Sequence, residues 1–185
     1  MSLPFKVVNI VCTASLSSTI DLHSLPQRFP GDVVHDPEIY SGRAAYFKSE
    51  SMKGKVSIFH SGNLISVGTR SVVEAIRELN LVARAFNAPM TEPNVRNIVA
   101  TASLGRVVDL EQISLIIELP CIYEPEQFPG AIIRIPLREE TRATILLFSS
   151  GKLVCVGLKN IDNIKEAIEN LVFLIERYES KNERC

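Results

Sequence analysis

The sequence predicts an α+β fold made of two direct repeats, each an antiparallel set of strands with its helices on one face. Three observations carry this. First, Asn9-Ile10-Val11-Cys12-Thr13-Ala14-Ser15-Leu16 returns as Asn97-Ile98-Val99-Ala100-Thr101-Ala102-Ser103-Leu104, with one difference, at an offset of 97 − 9 = 88. Asp21-Leu22 and Pro37 return as Asp109-Leu110 and Pro125 at the same offset, while Phe59, Ser61-Gly62 and Gly68 return as Phe148, Ser150-Gly151 and Gly157 at 148 − 59 = 89, which implies a single inserted residue. Second, Ile145-Leu146-Leu147-Phe148 and Leu153-Val154-Cys155-Val156 are apolar at every position, so these strands need cover on both faces. Third, each repeat ends in a stretch with helical periodicity.

In chain order, Lys6 to Ala14 and Val95 to Ala102 read as the opening strands because they are rich in β-branched residues. A short helix is expected from Asp21 and from Asp109, where an acidic residue favours the first turn, and Pro26 is expected to end or kink the first one early. Three or four strands follow in each repeat, with Ser61-Gly62-Asn63 and Ser149-Ser150-Gly151-Lys152 as hairpin turns. In the first closing helix, Ser71 and Glu74 form a capping-box pattern, and Val72, Ile76, Leu79, Ala83 and Phe86 fall on one stripe. In the second, Asn160 takes the cap position and Ile164, Ile168, Leu171 and Ile175 form the stripe. The repeats span 5–93 and 94–185 and join through the polar, Pro-bearing segment Asn87 to Pro93.

One long helix and one short helix per repeat cover one face of a sheet and leave the other open. Side-chain alternation puts Leu146, Phe148, Val154 and Val156 on the open face, and Leu153 and Cys155 toward the helices. Asn9, Val11, Asn97 and Val99 join the open face, while Ile10, Cys12, Ile98 and Ala100 face the helices. An open apolar face calls for a partner surface. Cys12 and Cys155 are expected to be core thiols.

Composition excludes several function classes. The chain is 46 % hydrophobic and 22 % charged, as expected of a folded protein, and its net charge of −1 provides no global attraction to nucleic acid. Cys12, Cys121, Cys155 and Cys185 lack the spacing of a disulfide framework or a zinc site. His23, His35 and His60 lie in no ligand or nucleophile motif and are expected to be solvated or locally hydrogen-bonded. No Gly-rich phosphate loop, Gly-x-Ser-x-Gly or His-Glu-x-x-His occurs, so neither an enzyme nor a cofactor is expected. No run approaches the roughly 18 apolar residues of a membrane span, and the start of the chain lacks a signal-peptide core, so an intracellular protein without a membrane partner is expected.

The octet Tyr123-Glu124-Pro125-Glu126-Gln127-Phe128-Pro129-Gly130, the hairpin Leu147-Phe148-Ser149-Ser150-Gly151-Lys152 and the repeated Asn-Ile-Val together resemble the TATA-box-binding protein family, especially its archaeal form, over nearly the whole chain. The resemblance implies a single saddle with pseudo-twofold symmetry: a curved antiparallel sheet from both repeats, helices on the convex face and A·T-rich promoter DNA on the concave one. It implies a general transcription initiation factor that reads the minor groove, bends the duplex with Phe wedges and recruits transcription factor B. Phe128 and Phe148 become the wedges of the second repeat, and Tyr40 and Phe59 those of the first. Asn9 and Asn97 would bond groove acceptors over an apolar floor of Val11, Ile65, Val67, Val99, Leu146, Val154 and Val156. Arg134, Ser150, Lys152 and the basic Lys159 match phosphate-side positions, and Glu124, Glu126 and Gln127 match the loop gripped by transcription factor B. Contact with the RNA polymerase machinery, a homodimer in the absence of DNA, and a cytoplasmic setting (nuclear in a eukaryote) complete the implied partners and location.

The first repeat departs from the pattern. Tyr40 stands at the Phe128 position, Tyr46 at Arg134, Ser57 at Leu146 and Asn63 at Lys152, while Arg70 keeps the basic character of Lys159. Phe29-Pro30-Gly31 resembles Phe128-Pro129-Gly130, but its offset of 128 − 29 = 99 breaks register and marks it as a loop. In both repeats Val67 and Val156 replace the family's Thr, removing a donor whose loss costs about 1 kcal/mol of discrimination. The longer connection Pro136 to Thr144 brings Arg138 and Arg142, either substitute phosphate contacts or solvated loop charges. These changes make the second repeat the expected centre of recognition. They also support an alternative, a diverged paralogue acting as a protein-interaction scaffold with little specific DNA binding. Two bland alternatives remain at the residue level: core aromatics at the wedge positions, and an Asn9–Asn97 hydrogen bond.

Overall fold

The computed structural model describes residues 3–138 and 141–182, with the side chains of 39, 40, 116 and 178–182 outside that description. The chain forms two compact units, Val8–Asn97 and the residues from Ile98 onward together with the N-terminal segment through Val7. The first-repeat unit contains β1 (Phe5–Ser15) from Val8 on, α1 (Leu25–Arg28), β2 (Val33–Val34), a 3-10 turn (Ile39–Gly42), β3 (Ala44–Phe47), β4 (Lys55–Phe59), β5 (Asn63–Thr69) and α2 (Val72–Ala85). The second-repeat unit contains β6 (Asn94–Ser103) from Ile98 on, α3 (Leu110–Ile116), β7 (Cys121–Ile122), β8 (Gly130–Pro136), β9 (Arg142–Phe148), β10 (Lys152–Leu158) and α4 (Ile161–Asn182). The strands run in the order β2-β3-β4-β5-β1 in the first unit and β6-β10-β9-β8-β7 in the second, with antiparallel pairing. The α+β class and the four strands after each opening strand are as expected.

Burial alternates along the strands that looked apolar throughout. Ala143, Ile145, Leu147, Leu153 and Cys155 are buried, while Leu146, Phe148, Val154 and Val156 stay partly exposed. The buried set packs on α4, whose Ile164, Ile168, Leu171 and Ile175 are all buried, joined by Ala167. In α2 the buried line is Ala75, Leu79, Val82, Ala83 and Phe86; Val72 and Ile76 are only half-buried, because the helix is rotated enough to turn Glu78 inward. Cys12 and Cys155 are core thiols, and burial pushes the Cys155 thiol up to about 12. Ring nitrogens of His60 and His35 hydrogen-bond locally, to the Ile20 carbonyl at 2.8 Å and the Gly42 carbonyl at 3.0 Å.

Caps and turns explain most element boundaries. The Ser71 hydroxyl accepts from Glu74 N at 3.2 Å, Asp109 caps α3 through Gln112 N at 3.0 Å, and the Asn160 side chain accepts from Asp162 N at 2.8 Å. The helix expected from Asp21 is corrected: Asp21 forms a turn by accepting from His23 N, and α1 begins only at Leu25. Pro26 sits in its first turn, where no intrahelical donor is required, so it opens the helix rather than ending it. Phe29, at the end of α1, packs against Phe47 and Phe86 at ring distances of 5.6 and 5.3 Å. Both hairpins close by a three-residue loop with a left-handed glycine, Gly62 at φ +83° and Gly151 at φ +77°, donating to the carbonyls of Phe59 and Phe148. The segment joining the repeats is fastened within the first unit: Thr91 N donates to the Ser15 carbonyl and Met90 bridges Leu16. Among the described residues no helix is long and apolar enough to cross a membrane.

Candidate nucleic-acid interface

The open face of the second-repeat unit is laid out by strand register. Thr101, Val154, Leu146, Ile132 and Ile122 stand side by side across β6, β10, β9, β8 and β7, a row without a formal charge. β9 carries Phe148 to the hairpin end of this floor. The Phe128 ring meets it edge to face at a centroid distance of 5.7 Å, and both rings are half-exposed. Gly130 makes the pair possible: a Cβ there would sit 2.9 Å from the Phe128 ring and 3.2 Å from the Phe148 ring. Phe128 is held by its backbone N–H on the Glu124 carbonyl at 2.9 Å, a turn that leaves Glu124, Glu126 and Gln127 exposed. Ser150 and Lys152 rim the hollow beside Phe148 and Val154; Arg134 and Lys159 are also exposed. Arg138 lies 3.8 Å from Glu166 of α4, a surface ion pair, and Arg142 starts β9. The long connection therefore ends two residues before Thr144.

The first-repeat unit repeats the layout with different chemistry. Its row runs Thr13, Ile65, Ser57, Tyr46 and Val34. Val11, Phe59, Ile65 and Val67 are half-exposed, as are Val99 and Val156 at the matching places of the other repeat. The Asn9 Oδ1 accepts from Gly68 N at 2.7 Å, so its oxygen is engaged within the unit and its amide N–H groups are the donors of a half-exposed side chain; Asn97 is also half-exposed. Arg96 Nε donates to Thr13 Oγ1 at 2.9 Å on this unit. The Tyr40 side chain lies outside the described residues.

Strand pairing corrects two correspondences drawn from a constant offset. Ala44 opposes Phe59 as Gly130 opposes Phe148, an offset of 130 − 44 = 86, whereas β4 and β9 keep 144 − 55 = 89. The single inserted residue is thus the net of two fewer residues before β8 and three more between β8 and β9. Tyr46 therefore matches Ile132. Lys48 matches Arg134, and both donate a backbone N–H across the sheet edge, to Asp32 at 2.8 Å and Pro120 at 2.9 Å. The position of Phe128 falls on Gly42 when counted back from β3, and on Tyr40 only when counted forward from β2. Three cations escaped the sequence reading: Lys48, whose match the loop insertion hid, and Arg43 and Lys55, whose face only the strand register assigns.

The sequence model of the family described as transcription factor TFIID (or TATA-binding protein, TBP) matches residues 4–88 and 92–178. The TATA-box-binding protein of Sulfolobus acidocaldarius is 34 % identical over 179 residues, covering 91 % of this chain and 87 % of the relative. That of Thermococcus kodakarensis is 36 % identical over 180 residues, covering 94 % and 90 %. Among solved structures, Methanococcus jannaschii TBP superposes with a TM-score of 0.76 at 28 % identity, covering 94 % of this chain and 98 % of that one. With both repeats matched in sequence and the fold shared, the chain belongs to the TFIID/TATA-binding protein family.

Proposed function

We propose that this chain is a general transcription initiation factor that binds A·T-rich promoter duplex through its open sheet faces, in the minor groove, and kinks it by inserting apolar side chains. The observation that carries the reading is the Phe128–Phe148 pair, half-exposed at the end of an uncharged, largely apolar row. An A·T minor groove presents acceptors only, so the matching surface offers donors and no carboxylate; the half-exposed amide of Asn9, whose oxygen is already engaged, fits that requirement. Aromatic side chains at the rim suit partial insertion between base steps, which unstacks and bends the duplex. The exposed Glu124, Glu126 and Gln127 form an acidic handle suited to transcription factor B, which in turn links the complex to the polymerase machinery. In an archaeal cell such a factor works in the cytoplasm.

The test is a mobility-shift titration with an A·T-rich duplex carrying a TATA-like element and a G·C-rich control, with and without transcription factor B. A complex specific to the first duplex, weakened by Asn97→Ala and by Phe148→Ala, is the expected result. No complex in either condition at moderate salt sinks the reading. The first-repeat row, with Ser57 and Tyr46 in place of Leu146 and Ile132, favours the scaffold alternative; capture of transcription factor B without DNA, by a chain that shifts no duplex, would establish it.

A further inference from the structure

The first-repeat unit holds a hollow on its open face lined by Arg43, Ala44, Tyr46, Lys55, Ser57 and Phe59, together with Ser41. Arg43 and Lys55 are both exposed, and no carboxylate lines the hollow among the described residues. Lys55 shares the face of Ser57 and Phe59 by alternation and stands opposite Val67 by register. Its ammonium lies 4.5 Å from the centre of the Tyr46 ring, a contact that orients the charge without neutralising it. The start of β4 is also pinned from behind. Glu78 accepts 2.9 Å hydrogen bonds from the backbone N–H groups of Lys53 and Gly54, and a Cβ on Gly54 would collide with the Val67 carbonyl. By strand register, the second repeat has Pro129 and Thr144 at the places of Arg43 and Lys55, so this cation pair belongs to the first repeat alone.

We propose that Arg43 and Lys55 form a phosphate-binding pair that grips the DNA backbone beside Phe59. This rests on the duplex-binding function proposed above. Two unneutralised cations beside an aromatic ring and a hydroxyl suit a phosphodiester: the guanidinium supplies a planar fork of donors and the ammonium a point charge. The first repeat, in which no described ring packs on Phe59, gains affinity from charge instead.

The measurement is the salt dependence of duplex affinity for the wild type, Arg43→Gln, Lys55→Gln, the double variant and Lys55→Arg. Each neutralised phosphate contributes about −0.9 to the slope of log K against log salt. The expected slope is shallower by roughly one unit for each single variant and two for the double, with the same loss on TATA-like and other A·T-rich duplexes and a near wild-type slope for Lys55→Arg. Unchanged slopes in folded variants, or a loss confined to A·T over G·C preference, overturn the phosphate assignment while leaving the proposed function intact. A wild-type chain that forms no complex overturns both.

Discussion

Glu78 is the residue with the most unusual environment. It is 4 % exposed, and Ser66, Thr69 and Glu78 are the buried polar or charged residues of the described chain, all in the first-repeat unit. The corresponding positions of the second repeat are Cys155, Leu158 and Ala167, which are buried and apolar or nearly so. The carboxylate is tolerable in the core because Lys53 N and Gly54 N both donate to it, and the Ser66 hydroxyl approaches its other oxygen at 3.5 Å. Glu78→Ala should therefore lower unfolding free energy by roughly 2–4 kcal/mol in a denaturant titration, since two backbone donors lose their acceptor. Glu78→Gln, which keeps a carbonyl oxygen in place, should recover most of that loss. Equal effects from the two variants would mean that the side chain contributes packing rather than hydrogen bonding. The periodicity of α2 gave no sign of this group, because a Glu beside the apolar stripe, directly before Leu79, reads as solvent-facing; only the loop that brings the two N–H groups reveals why it is buried.

At the scale of elements, the turn after α1 and the β9–β10 hairpin show how differently a turn can be tied to its surroundings. Gly31 and Gly151 share a left-handed backbone, at φ +85° and +77°. A Cβ on Gly31 would meet nothing within 4 Å, whereas one on Gly151 would collide with the Arg106 carbonyl. Gly31→Ala should cost about 1–2 kcal/mol of backbone strain alone. Gly151→Ala should cost clearly more, because the hairpin or the segment after β6 must also move, and because Gly151 carries the turn beside Phe148. Thermal melts of the two variants compare them directly; equal shifts would show that the collision is relieved freely. The turn itself was legible from Ser149-Ser150-Gly151-Lys152, since the loop length and glycine dictate the hairpin type. The start of α1 was not, because an acidic residue favours a first turn without obliging the helix to begin there.

For the whole molecule, duplication provides two similar faces and divergence gives them different chemistry. The second repeat pairs Phe128 with Phe148, while no described ring packs on Phe59. An aromatic pair is worth about 0.5–1.5 kcal/mol beyond burial. Phe148→Ala should thus weaken duplex affinity roughly two- to tenfold more than Phe59→Ala, because it also deprives Phe128 of its support. Equal losses would mean that the two repeats insert their wedges equally.

The amino-acid sequence by itself determined the duplication, the alternation that separates helix-facing from open residues, and the stripe of α4. The first is a match of the chain with itself and the other two are local periodicities of 2 and 3.6 residues, so no distant contact is needed to see them. Tertiary structure decided which residues of the two repeats are equivalent, and with that where the cations of the first repeat lie. Strand pairing absorbs insertions inside loops, so a constant offset slips across them: it set Tyr46 against Arg134, where the hydrogen-bonded register sets Lys48. The same holds for Glu78, whose burial depends on donors 24 and 25 residues away in sequence, brought to it only when β4 packs beneath α2.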